Sequence, residues 1–230
     1  MQTTARILRY AQENGLKTVC LTDRFWDETV PGASSRYAPQ DFAHISAALP
    51  LPQAEGVRFL FGCETELDRF LTLGVSKERF SAFDFIVIPT THFHMRGYTR
   101  SEDELQNTET RVNARVKRLD AVQSMPLPFH KIGLVHLTCG LIAPMREEYR
   151  AVLQHLPAAE MKRLFKKAAT PASVAVTGAF ITYGIGRRRA GDIALFAGRR
   201  TDAWDQLPAN LHAAAADGRC SASRLLYRRL

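Results

Sequence analysis

Four side chains able to bind a metal ion or move a proton are spread along this chain: Asp23, Glu64, His92 and His136. A carboxylate and imidazoles meeting at one point suit zinc, manganese or iron by ligand type. Glu64 has two oxygens and can bridge two ions, which an imidazole cannot; ions so held activate a hydroxide and polarise a phosphoryl oxygen. Glu66 rivals Glu64 for that role, because side chains two apart on a strand share a face. His94 stands in the same relation to His92, as a second ligand or as a donor behind the first. Each residue also has an ordinary reading: Asp23 as a cap, Glu64 as a solvated loop carboxylate, His92 and His94 as surface residues, His136 as a satisfied core histidine.

The elements that must position them are legible as an alternation. Thr3 or Thr4 caps a helix over about 5–14 with Ile7, Leu8 and Ala11 on one face, and Gly15 stops it. Short apolar strands are predicted at 18–21, 57–63, 83–89 and 132–137. Residues 25–39, with Pro31, Gly32, Ser34, Ser35 and Pro39, read as a long loop. Asp41 caps a helix to about Leu49. A polar helix is predicted over about 101–124, with Ser101 and Glu104 at capping-box spacing, and an amphipathic one over 158–169, with Met161, Leu164 and Phe165 inward. Strands alternating with helices imply βαβ units, a parallel sheet and an α/β fold. All four reactive residues fall at or just past the C-terminal end of a strand, the side on which parallel sheets build their sites.

Composition bounds the partners. The chain has 230 residues, 46% hydrophobic and 23% charged, enough for a substantial core. No apolar run reaches the roughly 18 residues of a membrane span and no secretory h-region opens the chain, so no membrane partner and a cytoplasmic location are expected. Cys20, Cys63, Cys139 and Cys220 form no C-x-x-C pair, and the first three read as buried reduced thiols. The net charge of +8 invites a nucleic-acid partner, yet from Gly178 onward nine arginines against four aspartates account for five of those charges.

Four segments together carry a family resemblance. Ala-Gln-Glu-Asn-Gly-Leu-Lys-Thr-Val-Cys-Leu-Thr-Asp (11–23), Phe-Gly-Cys-Glu-Thr-Glu (61–66), Phe-Asp-Phe-Ile-Val-Ile-Pro-Thr-Thr-His-Phe (83–93) and Gly-Leu-Val-His (133–136) resemble, in order and spacing, ligand-bearing segments of the PHP (polymerase and histidinol phosphatase) domain family. The resemblance spans roughly residues 3–170. It implies a distorted (β/α)7 TIM-like barrel of parallel strands, incomplete here, holding divalent metal ions and hydrolysing a small-molecule phosphate ester. The histidinol-phosphate phosphatase branch is the first choice, because the chain is short and lacks polymerase modules. Carried onto this sequence, the resemblance implies Glu64, His92 and His136 as metal ligands, Asp23 as auxiliary ligand or proton acceptor, and Arg24 or Arg96 as the phosphate holder.

The sequence also departs from that pattern. The family's opening His-x-His strand is missing, Arg24 replaces the histidine of Thr-Asp-His, and no Asp-x-His follows residue 170. Arginine keeps its proton and cannot ligate a metal, but it suits a phosphate. The chain thus divides into a barrel-like region, 1–170, and an Arg/Ala/Gly-rich segment, 171–230, expected to be poorly ordered. After Glu160 there is no glutamate and after Lys167 no lysine, the change of usage that an out-of-frame reading of a GC-rich gene produces. Two further readings stand: an inactive remnant or gene fragment, self-associating through exposed strand edges, and a basic nucleic-acid-binding module.

Overall fold

The computed structural model describes residues 3–101, 105–135 and 146–168. Within them the chain is α/β, with four parallel strands in the order β1-β2-β3-β4. Helix α1 (Thr4–Glu13) leads into β1 (Thr18–Arg24); α2 (Phe42–Ser46) precedes β2 (Arg58–Glu64), and β3 (Phe85–Pro89) is followed by α3 (Thr108–Ser124) and β4 (Ile132–Val135). Helices α4 (Arg146–Gln154) and α5 (Ala158–Ala168) close the described region. Because strand neighbours in space are neighbours in sequence, each pair needs a crossover, and those crossovers bring the loops after β1, β2 and β3 to one end of the sheet.

Register fixes that end. Thr18–Arg24 pairs residue for residue with Arg58–Glu64, so Arg24 lies opposite Glu64, and Glu64 lies opposite Val87 of β3. β3 is buried along its whole length, as a central parallel strand must be. Gly62 makes the three-strand contact possible: a Cβ there would lie 2.6 Å from both the Cys20 sulfur and the Phe85 carbonyl oxygen. Across β2 and β3, Asp84 seals the approach by accepting the Phe61 N–H at 2.8 Å. The largest core cluster runs from Phe25, Phe61 and Ile86 through Leu119 and Val122 of α3 to Leu153 and Leu164 of α4 and α5.

The helices follow the expected chemistry with informative differences. Thr3 caps α1 by accepting the Arg6 N–H, and Gly15 takes φ +65° to end it. Asp41 caps α2, which is one turn long instead of continuing to Leu49. The polar helix starts at Asn107, not Ser101: Asn107 and Thr110 form the capping box, and Leu105 is already buried ahead of it. A side-chain amide facing a hydroxyl three residues on makes the same reciprocal bonds as a serine with a glutamate. Helix α4 has no counterpart among the elements expected from sequence. Among the described residues no helix is long and apolar enough to cross a membrane.

The loop at 25–39 contains neither helix nor strand, yet it is anything but peripheral. Phe25, Trp26, Asp27 and Tyr37 are buried. Asp27 pins it, accepting from the Thr29 amide at 3.0 Å, the Thr29 hydroxyl at 2.9 Å and the Ser76 hydroxyl at 2.6 Å, with Arg79 at 3.5 Å. Burial opposes ionisation of this carboxyl, but those donors outweigh it and hold its pKa below the ordinary value. Cys20 and Cys63 are free and buried, as expected, and burial pushes the Cys20 thiol up to about 12 and the Cys63 thiol well above its ordinary value.

Candidate functional site

At the C-terminal rim of the sheet the chain builds a buried polar cluster. β2 ends at Glu64; two residues on, Glu66 is fully buried. Three residues past β3, His92 is 5% exposed and its Nδ1 lies 2.6 Å from Glu66 Oε2. The Tyr37 hydroxyl donates to the same oxygen at 3.4 Å. Glu66 Oε1 accepts the Leu67 N–H at 3.0 Å and faces the Arg118 guanidinium at 3.6 Å. A buried carboxylate is costly without partners, and His92, Tyr37, the Leu67 N–H and Arg118 supply them here.

The tight turn after Glu66 is part of the same construction. Leu67 bridges Leu73 antiparallel, and Asp68 Oδ1 accepts the Phe70 and Thr72 N–H groups at 2.8 and 2.7 Å. That carboxylate holds Leu71 at φ 66°, a left-handed conformation that a branched side chain adopts only under constraint. The hairpin's Arg69 N–H reaches the Tyr98 carbonyl at 2.7 Å. Tyr98 packs against Tyr37 and Trp26, ring centroids 5.7 Å away in each case. Burial raises the Tyr37 hydroxyl pKa first, then the charges of Glu66 and Glu64, with Arg24 opposing them. Arg24, Glu64, Tyr37 and Glu66 therefore share one electrostatic neighbourhood.

The residues singled out from sequence divide accordingly. His92 enters the cluster, and the carboxylate it meets is Glu66. Glu64 is half-buried at the end of β2, directly across from Arg24, which is exposed. Asp23 is exposed; its Oδ1 accepts the Arg24 N–H at 2.8 Å and its Oδ2 lies 3.9 Å from His44 Nε2. His94 is exposed, with its ring 5.3 Å from that of His92, edge to face. Arg96 is exposed in the turn before Gly97. His136 and the segment 171–230 lie outside the described residues, as do Cys139 and Cys220. Sequence reasoning missed Tyr37 and Arg118. Tyr37 sits in an unstructured loop with no periodicity to mark it, and Arg118 sits among other charged residues on a helix that reads as solvent-facing.

The His92–Glu66 pair has the chemistry of a metal-ligating histidine, whose other ring nitrogen ordinarily donates to a carboxylate that fixes its orientation. With Nδ1 turned to Glu66, Nε2 is the ring nitrogen through which His92 would ligate a metal ion. Among the described residues, no three His, Cys, Asp or Glu side chains cluster as a metal site would. The pair thus fits one oriented ligand of a centre that needs further donors. Compared with protein-family models, with curated proteins and with solved structures, the chain matches none.

Proposed function

We propose that the chain is a metal-dependent phosphoesterase of the PHP type, histidinol-phosphate phosphatase-like, built on a partial TIM-like barrel. The observation that carries the reading is the buried Glu66–His92 pair at the C-terminal end of parallel strands, with Glu64 and Arg24 facing each other beside it. His92, Glu64 and His136 would hold divalent zinc, manganese or iron, and such an ion supplies Lewis-acid activation of water and phosphoryl oxygen. The chain's own residues do the rest. Glu66 orients His92; Arg24, planar and permanently charged, suits two phosphate oxygens at once. Arg96 is the second candidate for that grip. Asp23, exposed at the end of β1, is the proton acceptor within reach of solvent.

The test is hydrolysis of p-nitrophenyl phosphate and histidinol phosphate by chelator-stripped protein reloaded with each metal in turn. Metal-dependent turnover, abolished in His92→Ala, is expected. No turnover with zinc, manganese or iron would overturn the proposal. One observation favours an inactive remnant as the second reading: both Glu66 oxygens are already engaged inside the protein, so the cluster has a structural use without any ligand. A metal content below about one ion per chain, against the three or four ligands of a complete centre, would support that reading.

A further inference from the structure

Arg118 projects from α3 into the floor of the rim cluster and is 4% exposed. Its Nε donates to the Thr90 carbonyl at 3.1 Å. Nη1 donates to the Asp68 and Thr99 carbonyls at 3.1 and 2.8 Å, and Nη2 to the Leu67 carbonyl at 2.7 Å, with Glu66 Oε1 at 3.6 Å from the same nitrogen. The Phe93 ring lies beside the guanidinium, 5.9 Å from centroid to Cζ. One side chain thereby joins the residue after β3, the base of the 67–73 hairpin, the Thr99 turn and the carboxylate that holds His92. The Thr99 hydroxyl, in turn, donates to the His92 carbonyl.

We infer that Arg118 is a positioning residue: by clamping Leu67, Asp68, Thr90 and Thr99 around Glu66, it sets the carboxylate against His92 Nδ1 and so fixes the orientation of the imidazole ring. The fork is what matters. Five fixed N–H donors can serve four carbonyls and a carboxylate together, whereas a lysine ammonium carries the charge without that geometry. Around His92 and Glu66, Tyr37 and the Leu67 N–H also donate to the carboxylate, and the His94 ring lies edge to face with that of His92. The inference rests on the reading above for its purpose, namely what a fixed imidazole is for, but not for its geometry.

The experiment therefore uses the full chain without metal or substrate. Proton NMR should show a low-field, slowly exchanging His92 Nδ1–H, assigned by its disappearance in His92→Gln. In Arg118→Lys, with far-UV circular dichroism unchanged, that proton is expected to vanish or to exchange at least ~10-fold faster, as local opening of the cluster requires. Thr99→Val, which leaves the guanidinium in place, should keep it. A folded Arg118→Lys protein that retains the signal with unchanged exchange overturns the inference. Should Arg118→Lys fail to fold, the wild-type guanidinium decides. Nη1 and Nη2 hold different partners and should give separate, protected proton signals, and a single averaged signal overturns the inference. Because no turnover is measured, an inactive protein with a lost Nδ1 signal would sink the phosphoesterase reading and leave Arg118's role standing.

Discussion

Replacing Glu66 by glutamine is the most direct probe of the rim, because it changes charge and one donor pattern at nearly constant volume. Glutamine can still accept the Leu67 N–H, now 3.0 Å away. Its amide nitrogen, however, would face two groups that donate in the native protein, His92 Nδ1 at 2.6 Å and the Tyr37 hydroxyl at 3.4 Å. Losing one charge-assisted hydrogen bond in a buried site costs about 1.5–3 kcal/mol. Removing one partner of a buried ion pair costs roughly 3–5 kcal/mol. The 3.6 Å separation and the four carbonyls that remain on Arg118 cut that second contribution to about 1–2 kcal/mol. The sum, about 2.5–5 kcal/mol, corresponds to a Tm lower by roughly 5–20 °C for a chain of this size. Urea unfolding followed by circular dichroism measures it directly. The imidazole can meet the new amide by moving its proton to Nε2, which softens the loss. A destabilisation below ~1 kcal/mol would refute the reasoning.

Three further outcomes are expected. Asp27→Asn should lower stability at pH 7 by about 1–3 kcal/mol, since three hydrogen-bond donors and Arg79 lose a charged acceptor; the native carboxyl sits below its ordinary pKa, so its contribution is whole above the ordinary carboxylate range and fades as pH falls through the lowered value. Acid titrations of wild type and variant should accordingly converge at low pH, and a constant gap would contradict this. Gly62→Ala should cost roughly 1–3 kcal/mol or more by chemical denaturation, because its methyl would meet the Cys20 sulfur and the Phe85 carbonyl; a neutral change would show that β1 and β3 can part. In a Cys139→Ser/Cys220→Ser background, Cys20, with its thiol held near pKa 12, should react with a disulfide reagent at pH 8 more than about 10³-fold slower in the native than in the unfolded protein. Rapid labelling of the folded chain would mean the β1–β2 interface opens readily.

Much of the architecture was legible because it depends on local rules. Apolar runs marked all four strands, with starts shifted by at most two residues; β1 runs three residues past Leu21, to Arg24, because its partner strand continues to Glu64. Caps at Thr3 and Asp41 were readable from side-chain chemistry alone. The start of α3 was not, since an amide–hydroxyl capping box at Asn107 and Thr110 competes with a more familiar one at Ser101. At the site, the reading reached His92 but put Glu64 forward, with Glu66 as its rival, whereas the carboxylate that meets His92 is Glu66. Which of two carboxylates turns inward depends on where β2 stops pairing, a tertiary matter. Arg118 left no trace, for its partners are main-chain carbonyls 19 to 51 residues away, and a carbonyl has no residue type to recognise.

Helix α3 presents Arg111, Arg115 and Arg118 as well as Val112, Leu119 and Val122 on its buried side. Hydrophobic collapse gives such a surface little reason to dock early, because desolvating a guanidinium is costly until its acceptors are arranged. For Arg118 those acceptors lie in the segments that follow β2 and β3. The order of events during folding should follow: a three-strand nucleus first, with α3 clicking home late and carrying the rim with it, so that substitutions at Arg118 accelerate unfolding far more than they slow folding.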